Sequence, residues 1–376
     1  MAKPFARRLL KIIFIGCNGI ASLLLLLGCY GNAFEGHFYW MIGLCTLASL
    51  YLLLLVVVFL CCWLFIRPSL AWISFLTIIA CWKPLQQAIP FRIGKSFVSK
   101  KDSSQIRVMS WNVEHFDILE HKTHPEKKQE MIDLINKMSP DVACFQEMVA
   151  SDSALRAINY LPDFVSKLQM KGYYYSYNKK LDFDAKHRFG IIVFSKLPIV
   201  HKETISLDPN NYNSIFQYVD VVKNKDTIRV FNIHLQSLKF SADNILYIED
   251  PTMTNERDLE KSKNVLAKFK VGFLKRKKQS DFIKNVMNQS PYPMVVCGDL
   301  NDVPNSYAYN TVGKGLDNAF AKRGSGIGKT FDGISPTLRI DNIFCSPSLG
   351  IHQCTTLRKR LSDHFPVVAD LSIDSE

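Results

Sequence analysis

The stretch MVVCGDLN, from Met294 to Asn301, decides how the chain reads. Met294 to Cys297 form a short apolar run with β-branched residues, the composition of a strand buried on both faces. Gly298 lets the backbone turn, and Asp299 and Asn301 follow at the strand end. Residues two apart in an extended chain point the same way. A carboxylate and a carboxamide therefore emerge side by side at a sheet edge, where they suit the holding of a water or a metal ion. Gly-Asp at a strand end is by itself only a turn, so the reading depends on partners elsewhere.

Toward the amino terminus, IRVMSWN (Ile106 to Asn112) has the alternation of a strand, with Asn112 at its end and Glu114 two residues on. A helix is expected from about Pro125, where Met131, Leu134, Ile135 and Met138 follow helical spacing, and Ser139-Pro140 ends it. Asp141 to Phe145 reads as a second strand that delivers Gln146 and Glu147. Phe189 to Phe194 reads as a central strand, preceded by a polar loop from Lys179 to Arg188. Ile215 to Val222 and Thr227 to Ile233 form a hairpin with His234 at its end. Lys239 to Asn288 reads as helical and heavily charged, including Lys275 to Lys278; as an exposed helix face that run needs no function, though a polyanion or a membrane surface could use it.

Toward the carboxyl terminus, Gly313 to Gly333 is glycine-rich and reads as loops. Leu338 to Phe344 is a strand carrying Asp341. Leu361 to Val368 supplies Asp363 and His364 before the last strand. Strands alternating with helices and hairpins predict mixed sheets in an α/β layered domain.

The 376 residues exceed one typical core, and the apolar content is uneven. Between Ile12 and Ile66 the only charged residue is Glu35. Leu9 to Tyr30 and Trp40 to Ile66 are each long enough to cross a hydrocarbon core, which takes ~20 apolar residues. A signal peptide would explain only the first. Residues 69–89 make a third span, giving a transmembrane anchor over 1–91 with helices at about 9–30, 40–66 and 69–89. A polar linker follows over 92–105, then a water-soluble domain over 106–376.

The basic cluster Lys3 to Lys11 and Arg67 should stay inside, while Gly31 to Tyr39, with no basic residue, crosses. Three spans put the domain outside the cytoplasm, and two would leave it inside. Residues 1–91 hold six bases and one acid, which leaves 40 bases and 33 acids in the remainder, about +7. That balance is compatible with phosphate-bearing substrates without being diagnostic. Cys144, Cys297, Cys345 and Cys354 lack metal-ligand spacing and read as small buried hydrophobes, so no disulfide framework is expected.

Strands or their ends thus present Asn112, Glu114, Glu147, His234, Asp299, Asn301, Asp341, Asp363 and His364. Hard oxygen ligands in excess, without a Cys/His cluster, favour Mg²⁺ or Mn²⁺ over zinc.

SWNVE, FQE, NIHL, GDLND, RIDNIF and SDHFP occur in that order between Ile106 and Leu371. In this the chain resembles the endonuclease/exonuclease/phosphatase family, which includes deoxyribonucleases, apurinic endonucleases, sphingomyelinases and inositol-polyphosphate phosphatases. The membrane segments lie outside the resemblance, although some bacterial members carry such an anchor. The resemblance implies a four-layered α/β sandwich, two mixed sheets flanked by helices, with the site at one end.

It also implies roles. Glu147 matches the metal-binding glutamate, with Asn112 beside it, Glu114 at an acidic ligand position and Asp363 a further carboxylate near the metal. Asp299 matches the residue that orients and activates water, and Asn301 completes its geometry. His364 contacts the scissile phosphate or serves as acid, Asp341 fixes its tautomer and keeps it cationic, and His234 protonates the leaving oxygen. Tyr177 and Arg188, in HRFG, are candidate phosphate contacts, but the mid-domain tyrosine and arginine of some nucleases have no secure match here.

The expectation is a Mg²⁺-dependent phosphoesterase anchored in a bacterial inner membrane, with its catalytic domain extracytoplasmic. DNA or RNA is the first substrate. A phospholipid or small phosphodiester is the alternative, and a catalytically silent tethered binder of nucleic acid or lipid is the competing class.

Overall fold

Apolar β-branched runs that cannot face water on either side end up at the centre of two sheets. The structure is a computed structural model describing residues 2–34, 38–92, 97–114, 124, 126–151, 159–177, 187–207, 215–238, 240–249 and 256–373. The expected loop from Lys179 therefore lies outside the described residues up to 186, as do 93–96 of the expected linker.

In chain order the first six strands are β1 (Ile106–Asn112), β2 (Val142–Ser151), β3 (Gly172–Tyr177), β4 (His187–Ser195), β5 (Ile199–Ser206) and β6 (Ile215–Lys223). The others are β7 (Asp226–His234), β8 (Met294–Asp299), β9 (Asp317–Asn318), β10 (Asp341–Cys345), β11 (Leu349–Thr356) and β12 (Val367–Ile373). One sheet runs β11-β12-β1-β2-β4-β3 and the other β5-β6-β7-β8-β10-β9. Each is mixed, with one parallel pair at its centre: β1 beside β2, and β7 beside β8.

The inner faces meet in a core that joins Val108, Val142, Cys144 and Val193 to Val219, Val230, Val295, Cys297 and Ile343. On the outer face of the first sheet, Trp111, Phe145 and Phe194 pack under Met131 and Ile135 of one helix and Phe164 of another. On the outer face of the second, Phe216, Phe231 and Phe344 pack under Ile283, Met287 and Tyr309. The result is the four-layered α/β sandwich, helices outside and two mixed sheets inside.

Gly298 shows why the organising strand needs a glycine. Its φ is +155°, and a Cβ there would collide with the Ile233 carbonyl oxygen of β7. Only glycine allows β7 and β8 to approach so closely just before Asp299.

The amino-terminal helices are α1 (Ala2–Cys29), α2 (Tyr39–Leu47), α3 (Ser49–Ile66), α4 (Ala71–Ala80) and α5 (Trp82–Ala88). Phe5–Cys29 and Ser49–Ile66 are each long and apolar enough to cross a membrane. The stretch expected as one span over 40–66 is broken at Ala48 into α2 and α3. The expected third span is a pair bent by 59° between Ala80 and Trp82. Pro84 explains the bend: it lacks an N–H for the carbonyl of Ala80, four residues back, and its ring clashes there. The freed Ala80 carbonyl accepts the Tyr30 hydroxyl instead.

The remaining helices are α6 (Lys127–Met138), α7 (Leu161–Lys167), α8 (Ala242–Glu249), α9 (Glu256–Met287), α10 (Tyr307–Gly313) and α11 (Ala319–Arg323). The expected loop region 313–333 thus contains β9 and α11, a single turn capped by the Asn318 side chain, which accepts from the Ala321 N–H.

Candidate active site

Strand register brings the first group of residues together. His234 on β7 lies opposite Asp299 on β8, and Asp299 lies opposite Asp341 on β10. The three therefore form a row across adjacent strands. On the other sheet Asn112 ends β1 opposite Gln146 on β2. Between the sheets, the Gln146 amide donates to Asn232 Oδ1 at 2.7 Å, and Asn232 donates to the Phe145 and Ile192 carbonyls at 3.1 and 2.9 Å. These buried amides sit one residue before Glu147 and two before His234, and they lock the two halves of the site in register.

Asp299 is the point of convergence and is 1 % exposed. Its carboxylate accepts from the Asn301 N–H at 2.7 Å, the Asn301 amide at 3.2 Å and the Asn112 amide at 3.2 Å. His234 Nε2 stands 3.6 Å and His364 Nε2 3.8 Å from its Oδ2. Asn301 also donates to the Leu235 carbonyl at 2.9 Å, which ties the GDLN turn back to β7.

His364 is held from both sides. Its Nδ1 is 2.8 Å from Asp341 Oδ2, and its backbone carbonyl accepts from the Trp111 indole at 2.9 Å. The Phe331 ring lies edge-on to it at 5.0 Å between centroids. Burial opposes a charged imidazole, but the carboxylates of Asp341, Asp299 and Asp363 overcome it and raise the His364 pKa well above the ordinary value. Thr330 Oγ1 accepts from the Ile340 and Asp341 N–H groups and so fixes the strand that carries the aspartate. Phe331 and Thr330 lie in the region read as loop, and the sequence carries no local signal for either.

A second group is purely acidic. Glu114 Oε2 accepts from the Asp363 N–H at 2.8 Å, Glu147 Oε1 is 3.6 Å from His234 Nε2, and Asp363 Oδ1 is 3.8 Å from His364 Nε2. Glu114, Glu147 and Asn301 all have left-handed backbone, at φ +46°, +57° and +50°. Non-glycine residues adopt that region at a cost, and such residues collect at functional sites. Glu147 is turned out of β2 by a bulge between Phe145 and Met148, a device that re-aims a side chain at a strand end.

Burial pushes the Asp363 carboxyl up to about 7, and Glu114, Glu147 and Asp299 add to the rise while His364 opposes it. Negative charge from Glu114 and Glu147 thus bears on Asp363, and Asn112 lies beside Glu114, whose N–H its Oδ1 accepts. An all-oxygen donor set of that kind fits a divalent cation such as Mg²⁺. Atoms of Asp299, Asp341 and His364 also lie within 4.8 Å of one another. Asp341 and His364 already bond to each other there.

Tyr177 and Arg188 form a pair of their own on β3 and β4. The guanidinium donates to the Tyr177 hydroxyl at 3.0 Å and lies 5.1 Å from its ring centroid.

The amino-terminal helices touch the loops that flank these residues. Arg339, two residues before Asp341 and 1 % exposed, donates to the Gln87 carbonyl and, at 3.2 Å, to the Ala88 carbonyl at the end of α5. Asn305, four residues after Asn301, donates to the Pro84 carbonyl at 2.9 Å. Asp302 pairs with Arg276 of α9 at 3.1 Å, and Arg276 also donates to the Gln236 carbonyl. Tyr51 of α3 shares a 2.8 Å hydrogen bond with Ser335. None of these contacts is visible in local sequence.

A four-layered sandwich with an Asp–His pair, a second histidine and a carboxylate group at one end has the architecture of a phosphoesterase. The chain belongs to the Endonuclease/Exonuclease/phosphatase family, whose family model matches residues 109–364. Residues 10–88 match a separate domain of unknown function. Among solved structures, the endonuclease/exonuclease/phosphatase from Beutenbergia cavernae DSM 12333 is 18 % identical, with 72 % of each chain covered and a TM-score of 0.53. A family protein from Bacteroides thetaiotaomicron is also 18 % identical, covers 73 % of this chain and 100 % of its own, and has a TM-score of 0.53. One from Leptotrichia buccalis C-1013-b is 17 % identical over 71 % of this chain and 99 % of its own, with a TM-score of 0.51. No curated protein matches the chain.

Proposed function

We propose that the protein is a membrane-anchored, divalent-metal-dependent phosphoesterase that cleaves phosphodiester bonds by attack of water, with DNA or RNA as first substrate. The convergence of Asn112, Asn301, His234 and His364 on the buried Asp299 carboxylate carries this reading. Asp299 orients the water and takes its proton, with the two amides holding the carboxylate in place. His364, kept cationic by Asp341, donates to a phosphate oxygen where charge develops. His234 delivers a proton to the leaving oxygen. Asn112, Glu114, Glu147 and Asp363 would hold Mg²⁺ or Mn²⁺, which when bound neutralises phosphate charge. Tyr177 and Arg188 are assigned to substrate phosphate contact.

The anchor reading rests on α1 and α3, and helix packing supports the side. Phe14 meets Phe59 and Trp63 edge-on, with its ring centroid 4.9 Å from each, while Gly28 closes on the Cys45 carbonyl. The two spans thus run antiparallel, with Arg7, Arg8 and Lys11 at the same end as Arg67. The catalytic sandwich lies at the other end, against α2 and α5. Basic ends stay inside, so the domain is assigned to the outer face of a bacterial inner membrane.

A phospholipid or small phosphodiester is the second reading. The observation that favours it is the Tyr51–Ser335 bond, which links the first turn of α3 to the loop that carries Phe331 beside His364. The test is the full chain in nanodiscs, assayed on plasmid DNA, RNA, phospholipid and a generic phosphodiester with Mg²⁺ or chelator. Metal-dependent cleavage with nucleic acid preferred supports the first reading, and lipid preferred supports the second. Binding without turnover on any substrate contradicts both.

A further inference from the structure

The amino-terminal half of α9 carries a face that the sandwich does not cover. At 1.5 Å per residue the 32-residue helix is about 48 Å long. Ile283 and Met287, near its end, are what pack into the outer core of the second sheet. Upstream, Leu259, Leu266 and Phe273 recur every seven residues, and Lys263 and Lys270 recur beside them at the same interval. That spacing puts both sets along one side of a helix.

The two ends of this stripe differ. Phe273 is buried against α2, where a Cβ on Gly43 would stand 3.2 Å from its ring, and Lys270 Nζ lies 5.7 Å from the Trp40 ring centroid. Gly28, in the last turn of α1, meets α2 at Cys45. The stripe therefore starts at the level where the first span ends. Leu259 and Leu266, further along it, are 50 % and 44 % exposed. From 259 to 278 the chain has eight Lys or Arg and one acidic residue, Glu260.

We propose that the amino-terminal half of α9 is a second membrane contact that lies on the bilayer surface. Leu259 and Leu266 enter the acyl boundary, and Lys263 and Lys270 face the phosphates of anionic lipids. A helix that sets exposed leucines beside lysines meets such a surface through both, the leucines by burial and the lysines by charge. Continuity with the α2 contact selects the bilayer over other apolar partners, and the basic excess selects anionic lipid. The inference rests on α1 and α3 spanning the membrane. With those spans it gives the domain a fixed tilt, so that the sandwich does not swing on a tether.

The test uses the full chain in nanodiscs, with the photoreactive residue p-benzoylphenylalanine placed at position 266, at 54 on α3 or at 200 on β5. Leu54 and Val200 are 64 % and 62 % exposed, so the first reports the spans and the second reports water. Lipid adducts are read by mass spectrometry after irradiation. The expected result is adducts at 54 and 266 and none at 200.

Yield at 266 should rise when phosphatidylglycerol is added to phosphatidylcholine discs. Lys263→Glu with Lys270→Glu should remove that rise without changing position 54. Each basic residue near an anionic surface is worth roughly a fivefold change in partitioning. Adducts at 54 without any at 266 would overturn the inference and leave the anchor standing. A cross-link from 266 to a second copy of the chain would overturn it in favour of self-association. No adduct at 54 would overturn the anchor reading and this inference with it.

Discussion

Nδ1 of His364 lies 2.8 Å from Oδ2 of Asp341, and both side chains are buried. The Asp341 carboxylate raises the His364 pKa against burial, while burial raises that of Asp341 itself. Asp341→Asn removes that carboxylate and lets the His364 pKa fall. The alkaline limb of the pH–rate profile should therefore move to lower pH, and kcat/KM at pH 8 should drop more than at pH 6. An unshifted limb would mean that His364 does not act as a cation.

Stability without metal should depend on pH in an unusual direction. Asp363 titrates at about 7 in the folded chain and near its ordinary value, 3.8, when unfolded. The native state then binds more protons than the unfolded state between those values. His364, also raised, adds the same sign above its unfolded pKa. Stability in chelator should fall as pH rises from 5 to 8. Mg²⁺ should reverse or flatten that slope, since a cation favours the ionised carboxylates. Thermal melts at several pH values with and without Mg²⁺ decide it, and a flat chelator series would contradict the assignment.

Gly298→Ala should destabilise the sandwich and not merely the site. The added Cβ has no room against the Ile233 carbonyl, so β7 and β8 must separate. Overpacking a core typically costs about 1–3 kcal/mol. Denaturant unfolding of the two proteins measures it, and a loss below about 0.5 kcal/mol would mean the strands part easily.

Arg339 should report whether α5 belongs with the catalytic sandwich. Arg339→Met keeps the volume but strips the Gln87 and Ala88 carbonyls of their donor, at about 1–3 kcal/mol for buried groups left unsatisfied. A chain starting at Arg92 removes those carbonyls and leaves the buried guanidinium, which should cost more, about 3–5 kcal/mol. Denaturation of both variants beside the full chain checks the order. Equal stability of the shortened and full chains would show that α5 only tethers.

Much of the site was legible because its residues end strands that announce themselves. MVVCGD became β8, IRVMSWN became β1, and register then aligned His234, Asp299 and Asp341 without further information. The buried cysteines 144, 297, 345 and 354 behaved as the small hydrophobes they resemble. What escaped depends on contacts distant in sequence. Phe331 gains meaning only where it meets His364, and Arg339 only where it meets α5. The turn of Glu147 out of β2 comes from a bulge, which needs the partner strand β4 to be seen. The break at Ala48 has no proline or glycine beside it, and the composition of 40–66 gives no reason to divide it.

The most direct measurement is hydrolysis of bis(p-nitrophenyl) phosphate by the full chain in detergent, with Mg²⁺ or chelator, beside Asp299→Asn and His364→Ala. Mg²⁺-dependent turnover that falls by about 10²–10⁴-fold in each variant is the predicted result. Turnover that persists in chelator, or that either substitution leaves intact, would contradict the assignment of this site.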